Sequence, residues 1–434
     1  MLRTSIAFML LGIQLSTAGQ NVSLGSIGEA IELALEKNID FQNYLLNQEK
    51  ADLAYKQAKS YQMPTISGSF SGQYNIDLAA TPLPDFSSED PEATVIRQIG
   101  LEYNYNAGIV IYQDLFNRGN KLNSSVAKLS LEMDRVSSNM YRDLLKEQVS
   151  VYYYTALISE RAIEIGREDV KSAESIYHLT SDKFDQGLVD LITLNSSKIN
   201  LNTVRQNLNA NKQLEIQSIT ELKKLFGMLP VDSLSLTNTV DYLLPEVYTS
   251  EQLSDNLLAK NAELQLRQAD AFLKVSQSAL LPTLSFNSYF GRQQFRDDFG
   301  LSLNNDNWTN YSYLSLNLSV PIFSGFNTSR NIAKSKIDHT MAVNERLKAE
   351  QQTSLDDQRL IADYNISLQD AKYKFETYKL YDENQTLTFQ KYKEGLISLD
   401  SYLMVFQDYI KAENAYLNSM SKVYTYYSQI LPRI

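Results

Sequence analysis

The chain has 434 residues with a formal net charge of −11, 28 Tyr, two His and no Cys. An acidic chain lacks the basic face that phosphate neutralisation requires, so nucleic acid is excluded as a partner. The absence of Cys excludes thiolate chemistry, Cys-ligated zinc and a lipid anchor on an N-terminal Cys, and His178 and His339 lie far apart on helical patterns, so a two-His metal site is not expected, carboxylate sites stay open, and no residue pattern calls for a metal or a cofactor.

The first residues read as an export address. Arg3 precedes the apolar run Ile6–Ile13, and Ser16-Thr17-Ala18 follows as a small-residue cleavage site. Residues 1–18 are expected to be a secretory signal peptide cleaved after Ala18 or Gly19. No later window of 18 apolar residues appears, so an exported chain of this kind either stays outside the lipid or crosses it by β-strands.

From Leu24 to Gln62 the pattern is helical, with Ile27, Ala30, Ile31, Ala34 and Ile39 on one face. Met63-Pro64 ends it, because proline pushes the preceding residue out of helical geometry. The period then changes. In Thr65–Ile76 the even positions Ile66, Phe70, Tyr74 and Ile76 are apolar, while Thr65, Ser67, Ser69, Ser71, Gln73 and Asn75 are polar. Strict alternation over this length predicts a strand with one apolar and one polar face, about as long as a tilted membrane-crossing strand of ~9–11 residues. Asp77–Gly100, rich in Pro and acid, reads as an exposed loop, and Tyr103–Phe116 as a second, less cleanly alternating strand.

A very long helix follows, from about Lys121 to Gln186. Leu122, Val126, Leu129, Met133, Val136 and Met140 set a spacing of alternating fours and threes, continued in sevens by Leu144, Val151, Ile158 and Ile165. This is the coiled-coil period. At 1.5 Å per residue the helix is roughly 100 Å long, more than a globular core needs. Gly187 turns it, Val189–Phe226 runs back, and Gly227-Met228-Leu229-Pro230 ends the return.

Residues 231–250 read as a connector, after which the order repeats. Glu251–Leu281 is helical and stopped by Pro282; strands are expected at 283–294 and 310–322, bracketing a polar loop; a long helix reaches Glu394, and Gly395 turns it into a returning helix. The turn Lys183-Phe184-Asp185-Gln186-Gly187-Leu188 thus returns as Lys391-Tyr392-Lys393-Glu394-Gly395-Leu396. The chain reads as an internal duplication, residues 19–230 and 251–434 around the connector. The fold class expected is mainly α with β. Four strands cannot close a barrel, and a four-strand sheet with an apolar face leaves edges that lipid does not tolerate, so closure requires several copies in a ring.

The junctions Met63-Pro64-Thr65 and Leu281-Pro282-Thr283, the strand exit Pro321-Ile322-Phe323-Ser324-Gly325, the run Leu225–Pro230 and the two Gly-Leu turns resemble the TolC family of outer-membrane channel proteins over essentially the whole mature length. The resemblance implies a homotrimer. Its 12-strand β-barrel would lie in outer-membrane lipid, and an α-helical barrel would continue it through the periplasm. It further implies docking to a periplasmic adaptor, or membrane fusion protein, fed by an inner-membrane transporter of RND or ABC type, for efflux or type I secretion. On the same resemblance, Lys183, Phe184, Gly187, Leu188, Lys391, Tyr392, Gly395 and Leu396 would form the tip that meets the adaptor.

Relatives often carry an acidic pair after the second tip Gly. Here Ser401 and Met404 stand at those places, which leaves Asp190, Asp400 and Ser401 as candidate pore-gate residues. A plain helix-start role for the Asp residues is the alternative. The acids of Asp85–Glu92 and Asp297-Asp298 suggest cation attraction at the outer mouth. No nucleophile elbow, phosphate loop or paired catalytic carboxylates occur, so an enzyme is not expected. A secreted periplasmic coiled-coil scaffold would explain the heptads but not the four alternating strands.

Overall fold

The computed structural model describes residues 21–84, 87, 94–239, 246–254 and 256–434. The expected signal segment 1–18 and the acids Asp85, Glu89, Asp90 and Glu92 lie outside the described residues. In chain order the elements are β1 (Asn21–Leu24), α1 (Ile27–Lys37), α2 (Ile39–Ala58), β2 (Thr65–Tyr74), β3 (Ala80–Pro84), β4 (Thr94–Gln98), β5 (Tyr103–Phe116), α3 (Arg118–Asp185), α4 (Leu191–Leu225), β6 (Ser233–Leu236), α5 (Leu257–Ser278), β7 (Thr283–Arg296), β8 (Thr309–Ser319), α6 (Asn327–Lys393) and α7 (Leu399–Ile430). The fold is mainly α with β, and α3 and α6 are the two very long helices, 68 and 67 residues.

Four expectations need correction. Leu24–Gln62 is not one helix: Leu24 ends β1, which pairs in parallel with β6, and the helix breaks at Asn38. Asn38 takes extended backbone geometry, its Oδ1 accepts the Phe41 N–H at 2.9 Å, and its Nδ2 donates to the Leu225 carbonyl at 3.0 Å. A capping Asn inside a helical hydrophobic pattern therefore splits it into α1 and α2. The loop 77–100 holds the antiparallel pair β3–β4, whose Val95 and Ile96 are a β-branched run between turn residues. The connector 231–250 contains β6, a strand whose partner lies about 210 residues away in the chain. The helix expected from Glu251 begins at Leu257; ahead of it Ser250–Gln252 form a 3₁₀ turn, with Gln252 Oε1 accepting the Thr249 N–H at 2.7 Å.

Strand ends shift by a few residues. β2 stops at Tyr74 rather than residue 76, β7 continues to Arg296, and β8 stops at Ser319, ahead of Pro321, which has no N–H to offer a ladder.

The chain divides into two compact units. Among the described residues, one gathers those from Asn21 to Asn47 with those of Arg135–Asn261 and Lys348–Ile434; the other gathers those of Gln48–Asp134 and Ala262–Leu347. In the first, β1, α1 and the C-terminal end of α4 close over α3, burying Ala30, Ala34, Leu145, Val149, Tyr153, Leu222 and Phe226. Leu144, expected on the heptad seam, is exposed, and its neighbour Leu145 is buried instead. The small β1–β6 layer gives α3 a further partner here, so the buried face is wider than a coiled-coil stripe. Further cores join α6 to α7 through Ile361, Tyr364, Leu368, Ala371, Val423 and Ile430, and α3 to α7 through Ile158, Tyr416, Met420 and Tyr424. Full burial of one such large side chain stabilises the fold by about 1.5–3 kcal/mol.

The second unit carries the sheet. Its order is β2-β5-β7-β8, antiparallel throughout, with β5 and β7 pairing the two halves of the chain at the centre.

Candidate functional site

The sheet sorts its side chains by chemistry. Register places Ile66, Ile111, Ser288 and Leu314 in one row across the four strands, and Ser67, Val110, Tyr289 and Tyr313 in the next. Because successive side chains point to opposite faces, Ile66, Phe70, Ile109, Phe290, Leu314 and Leu316 share one face, and all are exposed. The opposite face carries Ser67, Ser69, Asn106, Asn287, Ser315 and Asn317. It also holds a tyrosine group: the Tyr289 ring centroid lies 5.7 Å from that of Tyr311 and 6.0 Å from that of Tyr313.

Tyr289 is buried because it lies over two glycines that face each other across β5 and β7. A Cβ at Gly108 would stand 2.7 Å from Tyr289 Cζ, and one at Gly291 would stand 2.5 Å from the Ala107 carbonyl oxygen. Only Gly fits at that close approach. Among the described residues β2 and β8 pair on one side only, so each presents a row of free N–H and C=O groups at an edge. In hydrocarbon each unsatisfied group costs several kcal/mol, so the sheet cannot stand alone in lipid.

At the loop end of β7 the Arg296 guanidinium forks onto Asp298, with Nη2 at 2.7 and 2.6 Å from its two carboxylate oxygens. This hydrogen bonding holds the Asp298 carboxyl below the usual carboxylate range. The acidic mouth expected at Asp297-Asp298 is thus partly offset by Arg296. Trp308 Nε1 donates to the Ser302 carbonyl at 2.8 Å and ties the same loop back on itself.

The two Gly turns have one geometry. After α3 the Gly187 N–H donates to the Phe184 carbonyl at 2.8 Å and the Leu188 N–H to the Lys183 carbonyl at 2.8 Å. After α6 the Gly395 N–H donates to the Tyr392 carbonyl at 3.1 Å and the Leu396 N–H to the Lys391 carbonyl at 2.9 Å. Both are Schellman closures, which require a left-handed residue; φ is +71° at Gly187 and +73° at Gly395. The repeated spacing Lys-Phe/Tyr-x-x-Gly-Leu is therefore the hydrogen-bonding register of the turn itself.

Of the expected tip residues, Leu188 and Leu396 are the apolar ones that project, 68% and 69% exposed, while Lys183 and Phe184 are half-buried and Lys391 is exposed. Tyr392 departs from the expectation, since it is only 3% exposed and lies in the core. Its ring sits under the Lys183 ammonium at 4.4 Å, its hydroxyl is 3.4 Å from Thr180 Oγ1, and it stacks on Tyr402 at 5.9 Å. It props the Gly395 turn from inside, with Leu399, Tyr402, Leu403 and Phe406. Leu191 and Ile192, on the first turn of α4, are also exposed and belong with Leu188. Their signal in the sequence was an apolar pair directly after the Asp190 cap, at a helix start where polar residues are usual.

The candidate gate residues are mostly committed to helix starts. Asp190 is the N-cap of α4, accepting the Thr193 N–H at 2.8 Å, and that bond above all holds its carboxyl below the usual range. Ser398 caps α7, accepting the Ser401 N–H at 3.3 Å, and its hydroxyl lies 3.0 Å from Ser401 Oγ. Asp400 is exposed in the first turn of α7. Among the described residues no helix is long and apolar enough to cross a membrane, and no group of three or more His, Cys, Asp or Glu could hold a metal ion.

A sequence profile described as "Outer membrane efflux protein" matches residues 30–228 and 249–429. The solvent efflux pump outer membrane protein SrpC of Pseudomonas putida is 22% identical over 389 residues, which cover 86% of this chain and 77% of that protein. Among solved structures, the CmeC outer membrane channel of Campylobacter jejuni superposes with a TM-score of 0.76 at 18% identity, over 94% of this chain and 84% of that one. The outer membrane protein VceC of Vibrio cholerae does so with a TM-score of 0.75 at 14% identity, over 93% and 95%. The long paired helices, the two-faced sheet and the profile spanning both halves agree: the chain belongs to the outer membrane efflux protein family.

Proposed function

We propose that three copies of this chain form the exit duct of a tripartite efflux pump or type I secretion system. Each copy contributes four strands to a 12-strand barrel. The observation that carries this reading is the sheet, apolar on one face, polar on the other, with both edges open. A ring of copies satisfies the edges, sets Ile66, Phe70, Leu314 and Leu316 against lipid and turns the Ser, Asn and Tyr face to a wet lumen. Residues 1–18 then direct export. The units 19–230 and 251–434, joined by 231–250, are duplicated halves that a trimer repeats as six.

In this reading the two Schellman turns are the periplasmic tip. Leu188 and Leu396, with Lys183, Phe184 and Lys391 beside them, meet a periplasmic adaptor, which an inner-membrane transporter feeds. Tyr392, Gly187 and Gly395 shape that surface without offering side chains to it. Asp400 is the one gate candidate whose carboxylate is exposed and not a cap, so it would supply a ring of charge at the entrance. Drug or dye retention in cells tests this. Gly395→Asp and Leu396→Asp are expected to abolish export while leaving the barrel assembled in the outer membrane. Full export by both variants would overturn the tip assignment.

A further inference from the structure

Away from the tip turns, α3 and α7 meet over a buried acidic pair that no part of the duct reading uses. Asp169 on α3 is 5% exposed and Glu413 on α7 is 4% exposed. Tyr409, one turn before Glu413, donates its hydroxyl to Asp169 Oδ1 at 3.1 Å. Glu413 lies within hydrogen-bonding reach of Asp169, yet its Oε2 has no donor partner and no solvent contact. Two ionised carboxylates offer each other only acceptors, so the contact is satisfied only when one proton lies between them.

The surroundings reinforce that conclusion. From α3, Glu168 adds negative charge; from α6, Asp382 does so, with Tyr378 beside Tyr409; α7 itself contributes Tyr402. From α4, Leu201 and Val204 pack in the same buried cluster as Tyr409, and Arg205 of that helix is held by Glu174 at 2.6 Å. Burial and the acids around it push both carboxyls up, Glu413 further than Asp169. A carboxyl whose folded-state value is raised contributes fully below its ordinary value, and that contribution declines as pH rises above it until the folded value is passed. The packed contact is therefore most stable in acid, is still protonated near neutrality, and is weakest under alkaline conditions, when both carboxyls ionise.

We propose that Asp169, Glu413 and Tyr409 form a proton-held clasp that keeps α7 packed against α3, and that loss of the shared proton releases α7 and the tip turn it carries. The clasp is a property of one chain and stands apart from the adaptor assignment. The natural absence of Cys makes the test direct. Spin labels at Lys171→Cys on α3 and Lys411→Cys on α7, both exposed positions, report the α3–α7 distance in the detergent-extracted assembly between pH 6 and pH 10.

The wild-type background is expected to hold one narrow distance near neutrality and to lengthen or broaden reversibly as pH rises. Glu413→Gln, which keeps the shape and supplies a permanent donor, is expected to lose that transition. Asp169→Asn removes the charge against which Glu413 ionises and is expected to move the transition down by about one pH unit or more. A wild-type distance unchanged across the range overturns the clasp. So does a transition that survives unaltered in both variants, and either variant alone decides the point if the other does not assemble.

Discussion

Glycine-to-alanine substitutions at three positions separate the physical reasons for which this chain uses glycine. At Gly291 the added methyl would stand 2.5 Å from the Ala107 carbonyl oxygen and 2.6 Å from the Tyr289 hydroxyl. An ordinary carbon–oxygen contact is about 3.3–3.6 Å, so the overlap approaches 1 Å against backbone that is held in ladders on both sides. The strand must shift and Tyr289 must leave its seat, a cost at the upper end of the ~1–3 kcal/mol typical of overpacking. At Gly395 the methyl meets nothing within 4 Å, but φ is +73°, so the penalty is backbone strain alone, about 1–2 kcal/mol. At Gly68 the methyl also meets nothing within 4 Å and φ is not positive, so Gly68→Ala is expected to be neutral or stabilising by about 0.5 kcal/mol. Thermal melting of detergent-extracted protein by circular dichroism, at one fixed scan rate because such unfolding is rarely reversible, ranks the three. The expected order of melting temperature is Gly68→Ala at or above wild type, then Gly395→Ala, then Gly291→Ala. Gly291→Ala melting with Gly68→Ala would refute the close-approach argument.

Other substitutions follow from single contacts. Arg433 pairs with Asp357 through both Nη atoms and donates to the Ser254 carbonyl at 2.8 Å, so Arg433→Ala is expected to lower stability by up to about 3 kcal/mol and to raise proteolysis around residues 250–258. Asn38→Ala removes the cap of α2 and the bond to Leu225, together worth about 2 kcal/mol, and is expected to increase hydrogen exchange at the start of α2. Ser398→Ala removes the cap of α7 and is expected to cost about 1 kcal/mol, seen as fraying of residues 399–402 in the same experiment. The depressed Asp190 carboxyl contributes its cap above its unfolded-state value and loses it as pH falls through the folded one. Exchange at the start of α4 is therefore expected to quicken in acid, beyond the intrinsic pH dependence, and Asp190→Asn to remove that change.

What could be read from the residues alone was whatever is periodic or local. The alternation of Thr65–Ile76, the sevens from Leu144 to Ile165 and the paired Lys-x-x-x-Gly-Leu turns each state a backbone geometry within a few residues, and the four strands of the sheet and the long helices appear where those patterns lie. What stayed hidden is long-range. β1 and β6 are four-residue segments whose only reason to be strands is each other, and they shift the buried row of α3 from Leu144 to Leu145. Asn38 looks like any polar residue in a helix until the Leu225 carbonyl arrives beside it. At the two Gly-Leu turns the sequence located the closure but not the direction of the side chains: Tyr392 and Phe184 occupy equivalent places, yet Tyr392 turns inward onto Thr180 and Tyr402. The Asp169–Glu413 pair left no mark, because its two members lie 244 residues apart and each reads as ordinary helix-face charge.

The central claim is that the open sheet closes only as a ring of three chains in lipid. The mass of protein extracted from the outer-membrane fraction, measured by light scattering with bound detergent subtracted, tests it most directly. Near three times the chain mass is the expected result, since three four-strand sheets leave no edge unpaired. A monodisperse monomer or dimer, stable in buffer without detergent, would contradict the account, because β2 and β8 would then have no partner and the apolar face no lipid.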